Sequence, residues 1–190
     1  MSWIPDFEIG IWNAWIFMIW QILIPFLLVF IVKEKAVLKK LSVSVPMKYE
    51  KISNILSMVL LIVAFIVSFF LPLILNTLWF YLGLLIFLFG LIIDIMALYT
   101  FRKAKPDGPF TSGPYSYSRH PVYFGFFLMY ISISLMTLSW VFLLITIIFG
   151  IHFIVVAPAE ERYCLKTYGK EYQEYMKRTP RYIGLPKSKR

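Results

Sequence analysis

Apolar and polar residues alternate along this chain in long blocks, with no short-period pattern of the kind a half-buried strand produces. Five apolar runs approach the roughly 20 residues that a helix needs to cross about 30 Å of hydrocarbon. They cover residues 9–32, 52–75, 78–101, 122–137 and 140–157. The last two form a nearly unbroken stretch that is too long for one crossing, and it divides at Leu138-Ser139 into a helical hairpin. Asn76-Thr77 makes a similarly tight turn between the second and third runs. No run has a polar face wide enough to meet water, which sets aside a soluble bundle. The pattern predicts an all-α, polytopic membrane protein with five transmembrane helices followed by a cytoplasmic C-terminal helical segment. It divides into a three-helix part, residues 1–101, and a part carrying the chemistry, residues 102–190. The first run lacks a basic leader and a small-residue cleavage site, so it is expected to stay attached.

Composition supports this reading. Of 190 residues, 60% are hydrophobic and 15% charged, with a mean hydropathy of +0.76. Soluble domains lie near half apolar and a quarter charged, so neither a soluble globule nor a disordered chain fits. The net charge of +9 would point to a polyanion in a soluble protein. Here all 19 Lys and Arg fall in three segments, 33–51, 102–119 and 162–190. Five crossings put those segments on one side, and the positive-inside rule makes that side cytoplasmic with the N-terminus outside. Trp3, Trp12, Trp79 and Trp140 then fall at the outer interface. The charge is explained by topology and requires no nucleic acid. One cysteine, Cys164, permits no internal disulfide, and two histidines with one cysteine make no zinc framework, so no metal is expected.

Polar chemistry gathers in two segments, 107–125 and 158–184, which the hairpin brings side by side. In the first, Pro121 suits the opening position of a helix, leaving Arg119 and His120 just before a helix N-terminus that attracts anions. Gly108 and Gly113 permit close approach of a ligand to the backbone. A stiff loop with Arg119 on lipid phosphates accounts for the same residues. In the second, Pro158 ends or kinks the fifth helix, and Glu160 and Glu161 follow at the membrane surface. Adjacent acids suit ribose hydroxyls or a ligand ammonium, or simply the first turn of another helix. Tyr168, Tyr172 and Tyr175 share one helical face, the spacing of an amphipathic helix anchored at the interface. Asp94 and His152 lie at about 12 Å depth, where ionisable groups are functional candidates and where the two could pair. Gly83, Gly90 and Ala97 recur every seven residues, as in close helix packing.

The ordered set Gly113-Pro-Tyr115, Ser118-Arg119-His120-Pro121-Val122-Tyr123-Phe124-Gly125, Glu160-Glu161 and the tyrosine-rich run from Tyr168 to Tyr175, with Arg178 and Arg181, resembles the isoprenylcysteine carboxyl methyltransferase and phospholipid methyltransferase superfamily. The resemblance covers the C-terminal half. It implies a membrane-embedded enzyme that uses S-adenosylmethionine at the cytoplasmic face and takes a lipophilic or prenylated acceptor from the bilayer. Carried over, Phe110, Gly113, Tyr115, Arg119, His120, Tyr123, Glu160 and Glu161 would hold the cofactor. Arg178 or Arg181 would face the acceptor's head, with Glu161 assisting catalysis. Pro109-Phe110 departs from the small aliphatic pair of many relatives. The carboxyl O-methyltransferase type is the leading expectation, followed by a phospholipid amine or a small lipophilic thiol or acid as acceptor. An NADPH-dependent sterol-type reductase is a further alternative, because such enzymes carry a block like Tyr117 to Gly125. A noncatalytic membrane subunit docking through its basic loops is the plainest one.

Overall fold

The computed structural model describes residues 7–32, 50–103 and 108–184. The basic residues 33–48, Lys105, Lys187, Lys189 and Arg190, together with Trp3 and Asp107, lie outside the described residues. Among the described residues the regular structure is entirely helical: α1 Trp15–Ile31, α2 Glu50–Ser68, α3 Leu78–Lys103, α4 Pro121–Thr137, α5 Trp140–Tyr168 and α6 Lys170–Arg178, with a single 3₁₀ turn at Gly113–Ser116. Two of these, α3 and α5, are long and apolar enough to cross a membrane, and α1, α2 and α4 are shorter apolar helices.

Helix ends fall where local chemistry sets them. Thr77 accepts from the Phe80 N–H at 3.2 Å and starts α3, while Asn76 beside it takes a positive φ of 59°. Ser139 accepts from the Phe142 N–H at 3.2 Å and starts α5 directly after α4, so the hairpin divides at Leu138-Ser139 as the sequence predicts. Pro121 occupies the first position of α4, where its missing N–H is no loss.

Two helix ends differ from the apolar runs. The second helix stops at Ser68 instead of continuing to residue 75, because Pro72 cannot donate and disfavours helix at Leu71 before it. Residues 69–73 pair instead with the stretch ahead of α1. The Asn13 amide donates to the Phe69 carbonyl at 2.7 Å and the Glu8 carbonyl at 2.5 Å, the Ala14 N–H to Leu71 and the Leu73 N–H to Trp12. The first helix accordingly begins at Trp15 and not at residue 9. The second difference is at Pro158. The fifth helix neither ends there nor hands over to a separate segment, but runs on to Tyr168. That continuation carries Glu160 and Glu161 on the same rigid element as the apolar hairpin.

Packing is closest between α3 and α4. A Cβ on Gly90 would lie 2.8 Å from the Gly125 carbonyl, and one on Gly83 2.8 Å from the Ser132 carbonyl. The seven-residue glycine spacing therefore marks a true backbone seam. A core of Met18, Ala64, Leu71, Ile133, Met136 and Phe142 fills the end near Asn13. A smaller cluster of Val32, Ala97, Leu98 and Phe101 sits at the other end, beneath the 108–120 loop. Large apolar side chains cover the outside, with Phe30, Leu85 and Val155 each more than 60% exposed. Trp12, Trp79 and Trp140 are exposed at the Asn13 end, and Arg102, Lys103, Arg162 and Lys166 at the loop end. An apolar belt with aromatic residues at one rim and basic ones at the other is the surface of a membrane protein.

Candidate functional site

The site is assembled where the start of α4 meets the C-terminal part of α5. Glu161 is buried, its side chain 3% exposed, and two arginines and a histidine converge on it. Arg181 grips it with two bonds, Nε to Oε1 at 3.0 Å and Nη2 to Oε2 at 2.8 Å. His120 Nε2 lies 3.3 Å from Oε1, and Arg119 Nε is 3.2 Å from the same oxygen in charge contact without a directed hydrogen bond. Burial works against ionisation of Glu161. The hydrogen bonds from His120 and Arg181 and the charge of Arg119 outweigh it and bring the carboxyl down to about 2.

Glu160 is placed differently. It accepts a hydrogen bond from the Tyr123 hydroxyl, and its other oxygen is 3.4 Å from His120 Nδ1. Its side chain remains 33% exposed. His120 is thus held between two carboxylates, one at each ring nitrogen. Burial opposes its charge, but the hydrogen bonds to Glu160 and Glu161 prevail and raise its pKa above the ordinary value. The ring stacks on Tyr123, which stacks in turn on Phe153, with centroids 5.3 and 4.5 Å apart.

The loop above is fastened from two directions. Gly113 has a φ of +60°, and a Cβ there would meet the Thr100 hydroxyl at 2.5 Å, so glycine lets the 3₁₀ turn rest on α3. The Tyr175 hydroxyl donates to the Tyr115 carbonyl at 2.7 Å. The Arg119 N–H donates to the Pro180 carbonyl at 3.0 Å, and the Ser118 hydroxyl to the Arg181 carbonyl at 3.3 Å. Phe110 and Tyr115 pack on Phe101, with centroids 4.9 and 5.9 Å away, which makes an aromatic floor. Burial, and then the neighbouring Tyr175, Glu160 and Asp94, push the Tyr115 phenol well above its usual range.

The structure therefore brings Arg119, His120, Tyr123, Glu160, Glu161 and Arg181 into direct contact, with Phe110, Gly113 and Tyr115 in the adjoining loop. Between the two candidate arginines, it places Arg181 in the cluster and leaves Arg178 exposed on α6. Three expectations change. Tyr172 and Tyr175 do not face lipid: they are 5% and 1% exposed and turn inward, because Gly169 at φ 56° breaks the helix and reorients α6. Asp94 and His152 do not pair; His152 meets the Ser57 hydroxyl at 2.6 Å, and Asp94 lies against Gly125. Pro158 lies within α5, so of the two outcomes expected there, an end or a kink, the end is set aside. The sequence reading missed Ser118 and Thr100 as loop anchors and Trp20 beside Asp94. Of these only Trp20 carried a signal, as a tryptophan far from either end of its apolar run.

Fold and site together define a membrane protein whose polar chemistry is concentrated at one end of an apolar helical bundle. Residues 78–171, from the start of α3 into α6, match the sequence model of the phospholipid methyltransferase family. The chain thus carries a domain of the isoprenylcysteine/phospholipid methyltransferase family, which supports a membrane methyltransferase. Members of this family take their methyl group from S-adenosylmethionine. No curated protein matches the chain.

Proposed function

We infer that the chain binds S-adenosylmethionine at the loop end of the bundle, on the cytoplasmic side of a five-span fold. There it methylates a lipophilic acceptor drawn from the bilayer. The observation that carries this reading is the unequal pair of acids. Glu161 is fully occupied by Arg119, His120 and Arg181, whereas Glu160 keeps a third of its side chain open beside Tyr123. A ligand with an ammonium and ribose hydroxyls needs an acid that is fixed in place but still accessible, and Glu160 fits. Flat aromatic surface for a purine is available at Phe110 and Tyr115. Gly113, His120 and Tyr123 complete the enclosure.

The bound donor supplies an electrophilic methyl on a sulfonium. The chain's own residues hold and orient. Glu161, itself buried, fixes Arg119 and the partly exposed Arg181 in one network, and His120 locks the start of α4 to α5 through both acids. Displacement at a methyl group depends mainly on alignment in a dry site, which a stacked His120-Tyr123-Phe153 wall supports. Arg181, presented at the same cluster, is the better placed arginine for the acceptor's head group, and Arg178 the outlying one.

The isoprenylcysteine carboxyl type follows from the resemblance of the motif block. The family description favours a second reading, a phospholipid amine acceptor. In detergent, S-adenosylhomocysteine is expected to raise the melting temperature of the wild type by several degrees, and His120→Ala or Glu160→Ala to abolish the shift. A shift with NADPH in place of S-adenosylhomocysteine would establish the reductase reading instead. Labelled methyl donor incubated with prenylated cysteine and with phosphatidylethanolamine separates the two acceptor types.

A further inference from the structure

The contact between Ser57 and His152 is a polar pair that the site as described does not use. His152 Nε2 and Ser57 Oγ are 2.6 Å apart and join α5 to α2. The imidazole is buried and Ser57 half-buried, while their neighbours Leu56, Met58 and Ile151 are each more than 40% exposed, so the pair lies just behind the lipid-facing surface. A serine and a neutral histidine bring two donatable protons to such a contact, and the contact uses one. Among the described residues neither side chain makes a second hydrogen bond. Whichever tautomer holds, an O–H on Ser57 or an N–H on His152 is left without an acceptor, in surroundings where hydrocarbon offers none.

The pair is joined to the site by contact. Phe153 lies beside the His152 ring, with centroids 6.1 Å apart, and stacks on Tyr123 at 4.5 Å. The Tyr123 hydroxyl in turn donates to Glu160. One rigid element also carries both ends, since α5 runs unbroken from His152 to Glu160, eight positions or about 12 Å at helical rise. Val156 and Ala159, four and seven positions after His152, stand between them on the same side and are half-buried. A ligand lying along this strip reaches from the acid to the pair without crossing an aromatic or charged side chain.

We propose that Ser57 and His152 form a second binding site, for an ester carbonyl of a diacyl phospholipid acceptor, two helical turns from Glu160 toward the Asn13 end. This rests on the methyltransferase reading above and takes its phospholipid acceptor. In an extended phosphatidylethanolamine, an ethanolamine, a phosphate and two glycerol carbons separate the amine from the nearer ester, a length comparable to the spacing along α5. With the amine at the level of the acids, the ester carbonyl meets the unused proton of the pair. In a prenylated cysteine everything beyond the thioether is hydrocarbon, which gives a donor at this depth nothing to bind. The pair therefore selects between the two acceptor types. A contact that only held α2 to α5 would lower the melting temperature when removed and leave the choice of lipid unchanged.

The test uses the full-length protein in detergent micelles, with dioleoyl phosphatidylethanolamine and its dialkyl ether analogue as paired acceptors. Prenylated cysteine serves as the carboxylate probe and S-adenosylhomocysteine as the cofactor-site probe. The wild type is expected to favour the diester over the diether by about tenfold in kcat/KM, the worth of one hydrogen bond. His152→Phe keeps a flat ring and removes both nitrogens. It should retain the S-adenosylhomocysteine shift while the diester-to-diether ratio falls to within about threefold of unity. A wild-type ratio already at unity overturns the proposal, as does a ratio that survives His152→Phe even where the melting temperature drops. Wild-type methylation of prenylated cysteine with none of either phosphatidylethanolamine also overturns it and leaves the methyltransferase reading standing. Absence of an S-adenosylhomocysteine shift in the wild type overturns the methyltransferase site itself. Ser57→Ala carries the same measurements if His152→Phe does not fold.

Discussion

Glu161 shows how one buried acid can be settled by its neighbours. With its folded pKa near 2 against an ordinary 4.5, its contribution to stability is complete above about pH 4.5 and is lost as the pH falls through 2. His120 has the opposite sign. Its folded pKa is raised above 6.5, so its contribution is complete below pH 6.5 and fades as the pH rises through the folded value. The protein should therefore be most stable between about pH 4.5 and 6.5, the interval in which both groups contribute fully. Glu161→Gln leaves Arg119 and Arg181 facing a neutral amide, which is expected to cost about 3 kcal/mol, the low end for breaking a buried pair. Thermal melts across pH would show the wild type losing stability below pH 4.5 and Glu161→Gln showing less of that acid loss. The individual acids and the His-Pro helix start were visible in the sequence because their residue types are scarce in an apolar chain. Their unequal exposure was not, since nothing in two adjacent glutamates says which one the arginines will claim.

At the scale of elements, helix boundaries with a side-chain cap or a proline start were legible: Thr77, Ser139 and Pro121 each open a helix where the pattern places it. Boundaries set by distant partners were not. Pro72 ends α2 and was in view, but the pairing of the freed 69–73 stretch with Asn13, 56 positions from the Phe69 carbonyl it binds, was not. The inward turn of Tyr172 and Tyr175 depends on Gly169, whose positive φ redirects a face that spacing alone assigns to lipid. The α3–α4 seam supplies a sharp test. Gly90→Val drives a branched side chain into the Gly125 carbonyl, with an expected loss of about 3 kcal/mol, the upper range for overpacking, read as a lower melting temperature in detergent. Tyr175→Phe removes one hydrogen bond from the loop. It should cost about 1 kcal/mol and weaken S-adenosylhomocysteine binding several-fold by calorimetry, with the bundle otherwise intact.

For the whole molecule, the apolar belt was the clearest feature of the sequence, because lipid imposes a compositional rule that survives without any motif. The proposed orientation rests on charge placement and is open to a direct test. In a Cys164→Ser background, a cysteine at Asn76 is expected to react with a membrane-impermeant thiol reagent added outside intact cells. A cysteine at Gly184 is expected to react only after permeabilisation. The reverse pattern would invert the topology and move the site to the outer face.

The ties from the tail to the loop, Tyr175 to Tyr115 and the Arg181 and Pro180 carbonyls to Ser118 and Arg119, join residues about 60 positions apart. A ribosome makes the loop well before the residues that fasten it. On the proposed five-span topology, the hairpin of α4 and α5 can enter the membrane during synthesis while Glu161 still lacks its Arg181 clamp. Assembly of the site is therefore a late event in biogenesis, and a nascent chain that stalls before Arg181 would be inserted but catalytically silent.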